Sequence, residues 1–417
     1  MPTELLVTDR WDYLETTKKG DLLPEEREGA NAGSVVVTKD TIFIGAGYFN
    51  EEVIGSPLSV TVAKLYAAKE ISAGVNDAGD THPEMLRTAI GELYGLFPNI
   101  EYLTISAFAS FKLLRKANQE KDGYGVFTRP PLYPAWHNKD LYKITLEAIQ
   151  GVKPGFDPTK KEDRSKILIA VDVSAAAVGE HFWELRYSGR RPDECAKLEN
   201  YSTVYVKVSN SVNAGFTSSG WIGRGMSHAN MSHGLPRRRL ERELGDDYPG
   251  LCRAHGDCYH GLITVSAVLD RARRVHGANI GSVAEIPEDS IVWIFAADYI
   301  AQLCKETINL LSPRRIALGG QVLRGPFPDS RRLRAGDQKH AAAVAWRAEF
   351  IAKIRRVLDW SLTGHNPDGE LPRYEALKDL DALLQYRACR YPGVFGGILI
   401  SRWNKMGRSG VGGRENP

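Results

Sequence analysis

The feature that most constrains the fold is an alternation of apolar, strand-like runs with helical runs. HPEMLRTAIGELYGLF puts four apolar residues on one helix face, Met85, Ala89, Leu93 and Leu96. The apolar run EYLTISAFASF follows it. Further along, ILIAVDVSAAAVGEHFWE predicts a buried strand that ends at Asp172, followed by an Ala-rich helix. Strands alternating with helices are typical of an α/β fold, and we predict that class.

The composition limits the partners of the chain. Lys and Arg number 54 against 51 Asp and Glu, and a formal net charge of +3 disfavours nucleic acid as the main partner. Five cysteines, of which only Cys252 and Cys258 lie close together, do not form a secreted disulfide framework. Residues 1–20 lack a signal-peptide pattern, and no apolar run approaches 18 residues. We therefore expect a cytoplasmic protein without a membrane partner, and the sequence leaves a homodimer open.

A cluster of cysteine and histidine residues predicts a metal site. Cys252, His255 and Cys258 form C-x2-H-x2-C, and His228 and His233 lie about twenty residues upstream. Thiolate and imidazole ligands suit tetrahedral Zn²⁺, and we choose His233 as the fourth ligand. Four protein ligands leave no open position, so the zinc would be structural. The alternative is a pair of ordinary cysteines near a surface histidine.

The residues around this cluster resemble the ROK family of sugar kinases. YPGLCRAHGDCYHGL is similar to the family's C-x-x-H-G-D-C-x-E-G-L segment, and HANMSHGLPRRR to its H-P-E-M-G-H segment. VDVSAAAVGEH resembles D-V-N-A-A-A-L-G-E, LSPRRIALGGQVL resembles the late strand and glycine turn, and YGVFTRPPLYPAW resembles the substrate loop. The matches keep their order from about residue 81 to 400.

The resemblance implies the actin-like, hexokinase-like fold of two α/β domains, with a zinc-binding loop in the larger one. It also implies that the zinc ligands are His233, Cys252, His255 and Cys258. We accordingly expect an N-terminal extension at 1–30, a smaller domain at 31–165 with 396–408 packing back on it, a larger domain at 166–395 and a disordered tail at 409–417.

The residues that carry the family's chemistry depart from its pattern. Asp172 matches the general base, but the two sugar-binding glutamates fall on Asn230 and His260. The glycine-rich phosphate loop G-T-G-I-G-G-G falls on residues 209–215, SNSVNAG. Side chains there obstruct the close approach of backbone amides to phosphate. Gly319 and Gly320 remain, and a strand-to-helix turn would also explain them. We therefore expect no nucleotide cofactor.

Aromatic residues in the loops favour a hydrophobic small-molecule substrate, although each could equally belong to the core. The predicted substrate-binding residues are Phe108, Phe127, Tyr133, Trp136, Lys207, Asn210 and Phe216. The degenerate pattern is also similar to fungal norbornene-forming Diels-Alderases of terpenoid biosynthesis. That similarity predicts a pericyclase on a pseudokinase scaffold. The predicted catalytic residues are Asn230 and His260, which replace kinase groups, and Asp172, which could equally be a relic that caps the following helix. The alternatives are an ATP-dependent, fructokinase-like sugar kinase and a non-catalytic small-molecule sensor.

Overall fold

The computed structural model describes most of the chain. The described residues are 28–38, 41–49, 62–71, 83–108, 125–127, 134–136, 138–187, 201–218, 221–223, 231–238, 245–327, 338–363, 380–389 and 391–405. Among them, no helix is long and apolar enough to cross a membrane. The predicted extension at 1–30 lies mostly outside these ranges, and the predicted tail at 409–417 lies wholly outside them.

The first sheet has five strands in the order β3-β2-β1-β4-β5. Its strands are β1 (Ala32–Val37), β2 (Ile42–Phe49), β3 (Val62–Ile71), β4 (Tyr102–Ala107) and β5 (Ile167–Val171). β1 pairs antiparallel with β2, and β2 with β3, whereas β1 pairs parallel with β4, and β4 with β5. β5 is buried along its whole length because its residues, ILIAV, are all apolar.

Five described helices belong to the same compact unit as this sheet and give it a mixed α/β structure. They are α1 (Pro83–Leu96), α2 (Leu141–Val152), α3 (Lys161–Ser165), α4 (Asp172–Tyr187) and α10 (Pro392–Lys405). The predicted face of α1 is correct for Met85, Ala89 and Leu93, which are all buried. Asp140 caps α2, and its side chain accepts a hydrogen bond from the Lys143 amide at 2.9 Å.

The second sheet also has five strands, in the order β10-β9-β6-β7-β8. They are β6 (Thr203–Val208), β7 (Val212–Ser218), β8 (Trp221–Ile222), β9 (Arg315–Gly319) and β10 (Leu384–Tyr386). The remaining helices are α5 (Tyr259–Ile263), α6 (Val265–His276), α7 (Ile291–Leu311), α8 (Gln338–Thr363) and α9 (Leu380–Leu383).

The described chain divides into two compact units. The first contains Met1–Asn200, Gly215–Ala229 and Cys389–Pro417, and the second contains Tyr201–Ala214 and Asn230–Ala388. The first unit therefore extends past the predicted boundary at residue 165. The reason is that β5 completes the first sheet beside β4, and α4 continues directly from it.

The C-terminal helix α10 packs against the first sheet through small and polar residues. The Ser401 hydroxyl donates to the Gly33 carbonyl at 3.0 Å and shares a 2.7 Å hydrogen bond with the Thr104 hydroxyl. The backbones of α10 and α4 lie in close contact. A Cβ atom at Gly396 would lie 1.7 Å from the Ala175 carbonyl oxygen. A hydrogen atom is therefore the only side chain that fits at this crossing.

Gly396→Ala is expected to destabilise the protein because the added methyl group separates α10 from α4. Overpacking of this kind costs about 1–3 kcal/mol in free energy of unfolding. Urea denaturation measures the change. The matched control is Gly393→Ala on the same helix, where the new Cβ atom would lie 3.4 Å from the Val36 methyl groups. An equal loss of stability in both variants would contradict the close-contact explanation.

Candidate functional site

Asp172 lies at the predicted junction of a buried strand and a helix. It directly follows β5 and is the first residue of α4. Its carboxylate is buried, and Oδ1 accepts a hydrogen bond from the Val173 amide at 2.8 Å. Ligands of open α/β sheets bind beyond the carboxyl ends of the strands. Asp172 is therefore placed at the edge of the first sheet where chemistry is expected.

Residues 209–211, at the start of the segment aligned above with a glycine-rich loop, form a tight turn between β6 and β7. The Ser209 amide donates to the Ser211 carbonyl at 3.1 Å, and the Ser209 carbonyl accepts from the Val265 amide at 3.0 Å. Among residues 209–215, none has a positive φ. The turn therefore lacks the left-handed conformations that would turn successive amides toward one phosphate. Residues 212–215, which the resemblance aligned with a glycine-rich loop, belong instead to β7.

Gly319 and Gly320 have a packing role that the structure makes explicit. Gly320 has a φ of +108°, and a Cβ atom there would lie 2.2 Å from the Val208 carbonyl oxygen. A Cβ atom at Gly319 would lie 2.2 Å from the Tyr205 hydroxyl. The close approach of the turn after β9 to the β6 backbone therefore requires Gly320, and Gly319 leaves room for the Tyr205 side chain.

Three of the predicted substrate-binding aromatic residues contact one another. The Phe127 ring lies 5.3 Å from the Trp136 ring and 6.3 Å from the Phe108 ring, measured between centroids. The exposed fractions are 3% for Phe108, 4% for Phe127 and 1% for Trp136. These three rings form a buried cluster in the first unit. Core packing explains these three rings, so they do not support the prediction of a hydrophobic substrate.

The other predicted site residues are distributed over both units. Lys207 lies on β6, and Asn210 lies in the turn that follows. Phe216 lies on β7, with its ring against Gly223. Tyr133 and Asn230 lie outside the described residues. The remaining candidate, His260, belongs to the second unit and lies next to the metal cluster.

The metal cluster is built on a short irregular loop. Cys252 and Gly256 exchange two backbone hydrogen bonds, at 3.1 and 2.8 Å. Gly256 has a φ of +65°, a conformation that glycine adopts without steric cost. The Tyr259 amide donates to the Gly234 carbonyl at 3.1 Å and so ties the segment that contains His233 to the end of the loop. Local turns thus bring the distant histidine to the C-x2-H-x2-C motif.

The four ligand atoms match the dimensions of a tetrahedral site. His233 Nδ1 lies 3.2 Å from His255 Nδ1, 3.7 Å from Cys252 Sγ and 3.6 Å from Cys258 Sγ. All four atoms lie within 4.8 Å of one another. With Zn–N bonds of about 2.05 Å and Zn–S bonds of about 2.3 Å, tetrahedral geometry gives N···N near 3.3 Å and N···S near 3.6 Å. The donor set and its spacing therefore fit zinc.

Burial affects the protonation of one ligand thiol, that of Cys258. Cys252 and Cys258 are buried, His233 is half-buried and His255 is exposed. Burial raises the pKa of the Cys258 thiol to about 11. Without a metal ion this thiol therefore stays protonated at neutral pH, and metal binding must displace its proton. His260 stacks on the His233 ring with a centroid distance of 5.4 Å, so it lies beside a ligand without belonging to the cluster.

A buried ionic network supports the chain on either side of this loop. Arg271 on α6 donates to Asp246 at 3.0 Å, and its guanidinium lies 4.6 Å from the centroid of the Tyr248 ring. Arg238 donates to the Asp246 carbonyl at 2.9 Å. Tyr299 on α7 also donates to the Asp246 carboxylate. The network connects the segment before the metal loop to two helices.

The known sequences that resemble this chain are sugar kinases and a related family profile. The profile of the ROK family matches residues 157–355. A fructokinase of Zymomonas mobilis is 28% identical over 219 residues, which cover 52% of this chain and 60% of that protein. A fructokinase of Pediococcus pentosaceus is 26% identical over 250 residues, covering 60% of this chain and 72% of that protein. The chain spans from one half to three fifths of the length of the first relatives it matches.

Comparison with solved structures identifies the fold. A ROK family glucokinase from Streptomyces griseus, solved with glucose and AMPPNP, has a TM-score of 0.54 and 13% identity, over 90% of this chain and 99% of that one. A ROK family transcriptional regulator, a homologue of the E. coli MLC protein, has a TM-score of 0.54 and 14% identity, over 92% of this chain and 80% of that one. The predicted hexokinase-like α/β fold is thus confirmed.

The same comparisons correct the predicted activity. The prediction of a pericyclase, with the associated prediction of terpenoid biosynthesis on a pseudokinase scaffold, is wrong, because the matching relatives are fructokinases. The structure supplies a physical reason for the error. The rings of Phe108, Phe127 and Trp136 pack on one another, so they are not an indication of an apolar ligand.

Proposed function

We propose that this chain, a ROK-family sugar-kinase-like protein, transfers the γ-phosphoryl group of ATP to a hydroxyl group of a hexose, with fructose as the first candidate. The observation that carries the proposal is the position of Asp172, buried at the carboxyl end of β5 and at the start of α4. The names of the relatives support the substrate class. This proposal replaces the expectation that no nucleotide binds.

The proposed reaction assigns a proton acceptor to the chain. The Asp172 carboxylate takes the proton of the sugar hydroxyl while that oxygen forms a bond to the γ-phosphorus atom. The bond between the γ-phosphorus and the bridging oxygen breaks, and ADP leaves with the electron pair. The Val173 amide donates to Asp172 Oδ1 at 2.8 Å and so orients the carboxylate at the start of α4.

The departures from the family pattern determine how the substrates are held. Asn230 and His260 stand where the resembling kinases have sugar-binding carboxylates, and an amide and an imidazole both donate and accept hydrogen bonds. The turn at 209–215 lacks positive φ values, so it offers no amide cradle to phosphate. We therefore expect weaker ATP affinity than a glycine-rich loop would provide.

We also propose that the cluster of His233, Cys252, His255 and Cys258 holds one structural zinc ion. The interatomic distances and the mixed imidazole and thiolate donors support the assignment. Four protein ligands fill the coordination sphere, so the ion would stabilise the loop and take no part in phosphoryl transfer. Asp172 belongs to a different unit from this cluster.

A coupled ADP-release assay tests the proposed activity. We expect sugar-dependent turnover with Mg·ATP and fructose within the ordinary kinase range of about 1–100 s⁻¹, and slower turnover with glucose, mannose and N-acetylglucosamine. The background is the same reaction without sugar. A parallel calorimetric titration with AMPPNP and magnesium measures nucleotide binding separately from turnover.

Two results would contradict the proposal. One is ADP release that stays at the sugar-free background for all four hexoses. The other is an absence of any heat of AMPPNP binding, with or without fructose. Binding of a hexose without turnover would instead indicate the sensor alternative.

A further inference from the structure

A cavity in the second unit is lined by arginine and tyrosine side chains that neither the proposed reaction nor the zinc cluster uses. It lies between α8 and the strand β10 and has a volume of about 280 Å³. Its lining consists of Val344, Arg347, Ala348, Ile351, Arg355 and Tyr386. None of its described lining residues is a carboxylate, and Arg347 gives the cavity a positive charge, whereas the charge of Arg355 is paired with Asp381.

Arg355 and Arg347 differ in what they bind. Arg355 forms an ion pair with the Asp381 carboxylate at 2.5 Å, and its Nε donates to the Leu384 carbonyl at 2.9 Å. The Nε and Nη2 atoms of Arg347 are buried, and neither has a hydrogen-bond partner among the described residues. Two buried donor atoms without partners are costly, because each has lost its hydration without gaining a hydrogen bond.

Several arginine side chains surround Tyr386, which lines the cavity. The guanidinium of Arg347 lies 4.4 Å from the centroid of the Tyr386 ring, and that of Arg387 lies 5.7 Å from it. Burial acts to raise the pKa of the Tyr386 hydroxyl. The positive charges of Arg387, Arg347 and Arg324 outweigh that effect, so the pKa lies below its usual range. Three cations therefore act on one hydroxyl group.

We propose that this cavity binds a small phosphorylated molecule, with Arg347 as the residue that recognises the phosphate. A guanidinium presents parallel donors that match two oxygens of a phosphate group, and a dianion suits a site surrounded by several positive charges. The apolar wall of Val344, Ala348 and Ile351 and the volume of the cavity leave room for an organic group beside the phosphate. The proposal goes beyond the phosphoryl-transfer activity and does not depend on it.

Calorimetric titration of the full chain with inorganic phosphate, at constant ionic strength, tests this site. Arg347→Gln is expected to weaken phosphate binding at least about tenfold, as the loss of charge-assisted hydrogen bonds implies. Arg347→Lys keeps the charge but loses the paired donors, so an intermediate affinity is expected. The matched control is Arg356→Gln, an exposed arginine on the same helix, which should bind phosphate as the wild type does. Titration with acetate under the same conditions should give weaker binding.

A spectroscopic readout confirms the location of the bound anion. In tyrosine labelled at Cζ with ¹³C, one resonance should titrate below the usual range, and Tyr386→Phe should remove it. Phosphate should raise the pKa of that tyrosine in the wild type and leave it unchanged in Arg347→Gln. The proposal is overturned if Arg347→Gln binds phosphate as tightly as the wild type, if acetate binds as tightly as phosphate, or if phosphate does not move the Tyr386 titration. None of these measurements requires turnover, so their outcome is independent of the kinase proposal.

Discussion

Cys258→Ser is expected to release about one zinc ion per chain and to lower the free energy of unfolding by more than about 4 kcal/mol, the range that loss of a metal site reaches. The reason lies in the loop of residues 250–258, which is held mainly by turns and glycines. Metal binding must therefore supply much of its stability. Elemental analysis of the purified protein measures the zinc content, and urea denaturation measures the stability.

The matched control is Cys304→Ser, which makes the same substitution at another fully buried cysteine. Cys304 lies on α7 and does not belong to the metal cluster. Both variants bury a hydroxyl group in place of a thiol, so only the loss of the ligand distinguishes them. Wild-type protein that is fully stable without metal, or equal losses in the two variants, would refute the structural role of zinc.

Asp172→Asn is expected to lower kcat/KM for the sugar by about 10²–10⁴, the usual contribution of a general base. Asparagine keeps an oxygen that can accept the hydrogen bond from the Val173 amide, so the start of α4 should be preserved. The loss should therefore appear in kcat, with little change in the KM for the sugar or in the thermal midpoint. Steady-state kinetics from the ADP-release assay separate these quantities.

Asp289→Asn, which removes an exposed carboxylate from a loop before α7, serves as the control and should leave kcat unchanged. If Asp172→Asn retains activity within about threefold of the wild type, a different group accepts the proton and the assignment fails. A parallel fall in thermal stability would instead assign Asp172 a structural role as the first residue of its helix.

Local patterns predicted much of the first unit. The predicted strand and helix correspond to β5 and α4, because a fully apolar run favours a buried strand and an Ala-rich run favours a helix. The face of α1 also followed from spacing alone. The strand β7 was missed because VNAGFTS is rich in small and polar residues, and its strand pairing depends on neighbours that lie far away in the chain.

Sequence spacing alone identified part of the metal cluster. C-x2-H-x2-C identifies three ligands because these residues lie on one tight loop, where their separation along the chain fixes their separation in space. The choice of His233 needed either the family resemblance or the structure, in which the hydrogen bond between Tyr259 and Gly234 brings the remote segment to the loop.

The sequence by itself determined the α/β class, the general position of Asp172 and three of the four residues of the metal cluster, because each depends on short-range spacing. Only the tertiary structure decided that Phe108, Phe127 and Trp136 form a buried cluster, since an aromatic residue in a loop can pack inward or face a ligand with the same local sequence. The contact between Arg347 on α8 and Tyr386 on β10 also depends on the fold, because these residues are distant in the chain. Only helix packing on the sheet places the two unpartnered donors of Arg347 beside this cavity.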